Sequence, residues 1–212
     1  MLRSMAPKSF RVSCHMKSDQ IRELLLQSLE HERGGVKVYQ TALECAVQDE
    51  LKAEWEHYLE QTQNHVQTLT AVCNALKIDP EEQSPGAQIL RKMGAALVTA
   101  MREAQAGGKP EAAQLVACEC VVLAETKDHL DWELIGEVAK EAKGAERQAL
   151  TSAYERIEDE EDEHLYHTRG WCRELWLKSL GLKAVLPPPE ERRDVKTAIG
   201  AARAQQERTK MR

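Results

Sequence analysis

Apolar residues recur every three to four positions through most of this 212-residue chain, a spacing that belongs to helices rather than strands. A first helix is predicted from 18 or 19 to 46, with Ile21, Leu25, Leu29, Val36, Tyr39 and Leu43 on one stripe. Asp49 is placed to cap a second helix over about 50–78, striped by Leu51, Trp55, Tyr58, Val66, Leu69, Val72 and Leu76. The run DPEEQSPG at 79–86 stops the pattern, a shorter helix follows over 87–104, and Gly107 and Gly108 end it. Pro110 suits the first turn of a third long helix over about 111–142, which closes at Gly144. A fourth runs over about 145–180 to Gly181, before the prolines at 187–189. Two long hairpins joined by a helix-containing connection make an all-α four-helix bundle with one crossover. The bundle is expected to occupy 19–186, between tails at 1–18 and 187–212.

Polar residues interrupt these stripes at one place on each long helix. Glu32 falls on the first stripe, Thr62 and His65 on the second, Asp128 with Asp131 beside it on the third, and Glu161 with His164 on the fourth. An ionised carboxylate in a core is costly unless a cation sits beside it. Two residues at one height of an antiparallel hairpin lie equally far from its turn. The midpoint of Glu32 and His65 is 48.5 and that of Asp128 and Glu161 is 144.5, each beside a predicted turn. Both pairs therefore stand roughly 24 Å along the bundle from their turns, and the four groups form one layer. Carboxylates and imidazoles gathered in this way suit iron, manganese or zinc. His31, His57, His129 and His167 fall off the best stripes and are expected at the surface, while Trp132, Trp171 and Trp176 read as packing residues.

Composition narrows the picture. The net charge is −6, with +4 on residues 1–18 and +3 on residues 187–212, which leaves −13 on the body. An acidic body argues against nucleic acid as a partner. Apolar runs fall far short of the roughly 18 residues of a membrane-spanning helix, and the basic N-terminus has no apolar core of a secretory signal. No membrane partner and a cytoplasmic location are therefore expected. The six cysteines lack CxxC spacing, and Cys118 and Cys120 point to opposite faces of one helix, so they read as free thiols.

Glu32 followed by Tyr39, a buried His65, an acid at 128 and Glu161-x-x-His164 resemble the ferritin-like superfamily over about residues 19–180. The likeness is to bacterioferritin and rubrerythrin domains and to small bacterial stress-associated ferritin-like proteins. It implies Glu32 and Asp128 as terminal metal ligands, Glu161 as a bridge between two irons, and His65 and His164 as imidazole ligands. Tyr39 resembles the tyrosine that hydrogen-bonds a ligand in bacterioferritins. The chain departs from the pattern at Thr62, where a second bridging glutamate is usual, and at Asp128, which is shorter than the usual glutamate. Glu125 or Asp131 is placed to compensate from the third helix, while Glu60 points about 140° away from His65.

Two function classes follow. The first is a metal-binding protein holding two irons, with manganese or zinc as alternatives, that oxidises iron or handles oxygen or peroxide, as a homo-oligomer. The second is a non-enzymatic helical interaction module whose layer is degenerate and metal-free, a reading that Thr62 favours and the intact Glu161-x-x-His164 opposes. The C-terminal tail reads as a separate basic unit set apart by its prolines.

Overall fold

The structure, a computed structural model, describes residues 18–211, so the basic N-terminal tail at 1–17 and Cys14 lie outside the described residues. The described chain is all-helical and contains no strand. Its helices are α1 (Ser18–Cys45), α2 (Asp49–Ala75), α3 (Pro85–Ala106), α4 (Pro110–Glu141), α5 (Gly144–Ser179), α6 (Pro189–Arg192) and α7 (Ala198–Glu207). No described helix is long and apolar enough to cross a membrane.

The four long helices pack α1 on α2, α4 on α5, α1 on α4 and α2 on α5, while α3 lies along α1 and α4. The close seat of α3 has a specific cause. Gly34 and Gly94 face each other, and a Cβ on Gly94 would stand in van der Waals contact with the Gly34 Cα at 3.5 Å. The buried Glu30 then takes both guanidinium nitrogens of Arg91, at 2.7 and 2.9 Å, which ties the two helices across that contact.

The turn between α1 and α2 differs from expectation. Gln48, not Asp49, is the N-cap, and its side chain makes no capping bond. The backbone N–H groups of Val47 and Gln48 instead donate to Gln114 Oε1 of α4, at 2.6 and 3.0 Å. A tertiary partner thus replaces the local cap. The other predicted punctuation is local. Ser84 accepts from Ala87 N–H at the start of α3, and Gly144 and Gly181 take positive φ at the start and end of α5.

The core is divided in two. One apolar cluster holds Leu25, Leu29, Leu69, Val72, Trp132, Ile135, Leu150 and Ile157. The other holds Val38, Tyr39, Ala42, Trp55, Tyr58, Val121, Ala124, Trp171 and Leu175. At about 1.5–3 kcal/mol for each large apolar side chain fully buried, the two clusters supply the driving force for folding. Between them, each of the four long helices inserts buried polar side chains, and the candidate site lies in that layer.

The segment after α5 was expected to stand apart as a tail, and it is instead laid along α5. Arg173 donates to both carboxylate oxygens of Glu190, each at 2.8 Å, although Glu190 is only 2% exposed. Gly170 makes the room, since a Cβ there would meet Glu190 Oε2 at 2.7 Å. The fully buried Glu174 accepts from Val185 N–H at 2.7 Å, from Arg173 Nε at 3.0 Å and from Arg208. Glu190 of the segment takes its countercharge from Arg173 of α5, and Glu174 of α5 takes part of its own from Arg208 of the segment, a match that composition alone does not reveal. Arg173→Ala is expected to lower stability by about 3 kcal/mol in urea unfolding, because it strands buried carboxylates. A loss under about 1 kcal/mol would show that the pair behaves as a solvated surface pair and that apolar contacts hold the segment.

Candidate metal centre

Each side chain of the layer arrives by helical periodicity. Glu32 follows Leu25 and Leu29 on the buried face of α1, and His65 lies between Tyr58 and Leu69 on α2. On α4, Glu125 and Asp128 are three residues apart on one face, and on α5 so are Glu161 and His164. All six are buried, with exposures between 0 and 4%.

Their atoms form two groups that share one carboxylate. Glu32, His65 and Glu161 make the first, and Glu125, Glu161 and His164 the second, with the ligand atoms of each group within 4.8 Å of one another. His65 Nδ1 lies 2.9 Å from Glu161 Oε1 and 3.4 Å from Glu32 Oε1. His164 Nδ1 lies 3.5 Å from Glu125 Oε2 and 3.7 Å from Glu161 Oε1. The two imidazoles are stacked, 5.7 Å between centroids.

The outer edges of both rings are anchored. His65 Nε2 donates to Glu160 Oε2 at 2.7 Å, and His164 Nε2 donates to Gln61 Oε1 at 2.9 Å. An acceptor at Nε2 fixes the proton there and turns the Nδ1 lone pair of the neutral ring inward, the arrangement that prepares a histidine to ligate. Trp132 Nε1 donates to Glu32 Oε1 at 2.9 Å and orients that carboxylate. The inward atoms lack such partners. Glu32 Oε2, His65 Nδ1, Glu125 Oε2, Asp128 Oδ1, both oxygens of Glu161 and His164 Nδ1 are buried without a hydrogen bond. So many orphaned acceptors facing one another are what a cation would satisfy.

Electrostatics follow from burial. Burial pushes the Glu125 and Glu161 carboxyls up to about 7, Glu32 adds to the displacement, and Tyr39 beside Glu125 and His65 beside Glu161 oppose it. Asp128 rises well above the usual carboxylate range, through burial and then through Glu161, Glu32 and Glu125. Burial lowers His65, but the carboxylates of Glu32, Glu160 and Glu161 outweigh it and raise the imidazole well above its ordinary value. His164 is pushed down to about 4 by burial, with the charge on His65 acting in the same direction.

The predicted residues divide as follows. Glu32, His65, Glu161 and His164 meet in the two groups. Glu125, expected only as a replacement, is the α4 carboxylate of the second group, and Asp128 stands beside it with its Oδ1 free. Asp131 is buried with Oδ1 paired to Lys127 at 2.5 Å and Oδ2 without a partner, and it belongs to neither group. Tyr39 lies toward Glu125 without a complete hydrogen bond. Thr62 donates its hydroxyl to Tyr58 O at 2.8 Å, and its methyl fits the space left by Gly35, where a Cβ would stand 3.2 Å away. It brings nothing to the layer, and α2 contributes His65 alone.

Glu160, Gln61 and Trp132 were not predicted as partners of the ligands. Glu160 is hidden within an acidic run, and the other two are recognisable only once helix rotations are known. His167 was expected at the surface and is buried, bonding Glu54 through Nδ1 at 3.2 Å. Glu54 also accepts from Tyr58 at 2.7 Å and from Trp171. The Tyr58 ring lies 4.2 Å from that of His164, so a polar file extends from the layer into the second apolar cluster.

The six cysteines include five described ones, all free, with Cys45, Cys73, Cys118 and Cys120 buried. None belongs to the two candidate groups. No family model, curated protein or solved structure matches the chain.

Proposed function

We propose that the chain is a ferritin-like four-helix metalloprotein whose buried layer binds two divalent cations. The observation that carries this reading is the pair of carboxylate–imidazole groups joined through Glu161, with both Nδ1 atoms turned inward and both Nε2 atoms anchored. Glu161 bridges, Glu32 with His65 completes one ion, and Glu125 with His164 completes the other. Asp128 supplies a further oxygen and takes the place of the carboxylate that Thr62 lacks.

Charge supports the count. Glu32, Glu125, Asp128 and Glu161 carry four negative charges when ionised, and two divalent ions neutralise them with both imidazoles uncharged. The mixed oxygen and nitrogen donor set suits iron or manganese, with zinc as an alternative. Bound iron or manganese supplies redox chemistry toward oxygen or peroxide. The chain's own groups orient the ligands through Trp132, Glu160 and Gln61, and the two apolar clusters limit the access of water.

A second reading rests on Thr62. A metal-free interaction module would hold the layer together by ion pairing of charged His65 with Glu32, Glu160 and Glu161. Elemental analysis of protein purified without chelators or nickel resin, and again after reconstitution with ferrous or manganous salt, separates the two. About two ions per chain are expected, together with a raised unfolding midpoint. No bound metal and an unchanged midpoint would establish the metal-free module.

A further inference from the structure

Two surface clefts each have one residue of the buried layer in their walls, and their charges differ. The first, about 250 Å³, opens between α4 and α5, and Glu161 lies on its wall. Glu133, Glu158 and Asp162 line it, and no lysine or arginine among the described residues does. Glu133 is 61% exposed and Asp162 21%, so the acids grade from solvent inward toward Glu161, which is 1% exposed and has both oxygens unpartnered. His129 Nε2 and Asp162 Oδ1 meet at 2.6 Å and tie α4 to α5 within the cleft. The nearest basic residue of the C-terminal segment, Lys196, is turned to Glu163 at 3.3 Å, and the following Thr197 and Ala198 form part of the wall.

The second cleft, about 410 Å³, lies between α2 and α5 and reaches His65. It is the larger, but Arg156 lines it, and its one carboxylate, Glu160, is already bonded to His65 Nε2. A cation approaching here meets a guanidinium and then the anchored edge of an imidazole. In the first cleft it meets the carboxylates of Glu133 and Glu158, with Asp162 already bonded to His129, and beneath them Glu161, whose buried oxygens have no partner. Clefts lined by one sign of charge with low-dielectric walls concentrate ions of the other sign and speed their capture.

We infer that the α4–α5 cleft is the route by which divalent cations reach the buried layer, with Glu133 and Glu158 drawing them inward to Glu161. This rests on the metal-centre reading above. The cleft contributes to the rate of loading, whereas the layer sets its extent, and the two are separable by experiment.

Trp132 bonds Glu32 and also lines the cleft, so its fluorescence reports loading of the layer by a quenching ion such as cobalt(II). In stopped-flow mixing at low ionic strength, Glu133→Gln with Glu158→Gln is expected to load cobalt(II) about tenfold more slowly than the wild type. Its final stoichiometry should be unchanged, and the two rates should converge at high salt. Arg156→Gln should load at the wild-type rate. Equal rates for the double variant and the wild type, or faster loading in Arg156→Gln alone, would overturn the route and leave the metal centre standing. A wild type that takes up no cobalt(II) at equilibrium would overturn both.

Discussion

Glu161→Gln is expected to leave the chain unable to hold either of the two proposed metal ions, and Glu125→Gln to remove about one of them. Glu161 is the residue common to both ligand groups, with Oε1 facing the inward nitrogen of each histidine at 2.9 and 3.7 Å. A glutamine keeps the shape but presents one neutral oxygen, too weak a donor to hold two cations together. The same change removes a buried charge, so the metal-free variant folds at least as well as the metal-free parent. Elemental analysis on variants whose helical circular dichroism is intact reads the result. Full metal content in Glu161→Gln would mean that the ions bind elsewhere, and equal losses in both variants would mean that Glu125 and Glu161 do not have the different roles their positions imply.

The metal-free protein is expected to become less stable as the pH rises from about 5 to about 8, whereas protein loaded with the proposed metal is not. Glu125 and Glu161 stand at about 7 in the fold against a usual 4.5, so the folded state holds their protons more tightly than the unfolded state does. The stability they contribute is complete below the usual value and is lost as the pH climbs through about 7. Asp128 and His65, both raised, act in the same direction. His164, lowered to about 4, acts oppositely, and its contribution falls as the pH drops from 6.5 toward 4. One carboxylate displaced this far is worth on the order of 3 kcal/mol, enough to move the unfolding midpoint by several degrees. Metal binding requires the same groups to be deprotonated and therefore tightens with pH. Thermal unfolding with and without manganese should thus give curves that diverge toward alkaline pH. Parallel curves would show that manganese does not bind the titrating cluster.

Divergence would also bear on the missing bridge at position 62. A layer with Thr62 in place of a carboxylate still gathers four buried acids because α4 contributes two of them, Glu125 and Asp128. Both stand on one face because they are three residues apart, so the compensation needs no change in helix geometry. A one-for-one match of ligand positions misses it, since the donor has moved to a different helix.

Periodicity and punctuation determined the extent of the four long helices of this protein, to within a few residues. The stripes of α1, α2, α4 and α5, the stops at Gly144 and Gly181 and the first-turn Pro110 act within a few residues, where local sterics and amphipathicity decide the outcome. The levels of Glu32, His65, Asp128 and Glu161 were equally readable, because a hairpin turn fixes heights by counting. Rotation of one helix against another is set by packing of whole faces, and it decided what counting could not. It brought Glu125 to His164, seated Glu160 and Gln61 behind the imidazoles, and buried His167 against Glu54. The C-terminal segment carries the same lesson. Its prolines mark a break in the helix, but only the acids and Arg173 on α5 determine that the chain beyond the break returns to the bundle, because ion pairing between distant parts of a chain leaves no periodic trace in its sequence.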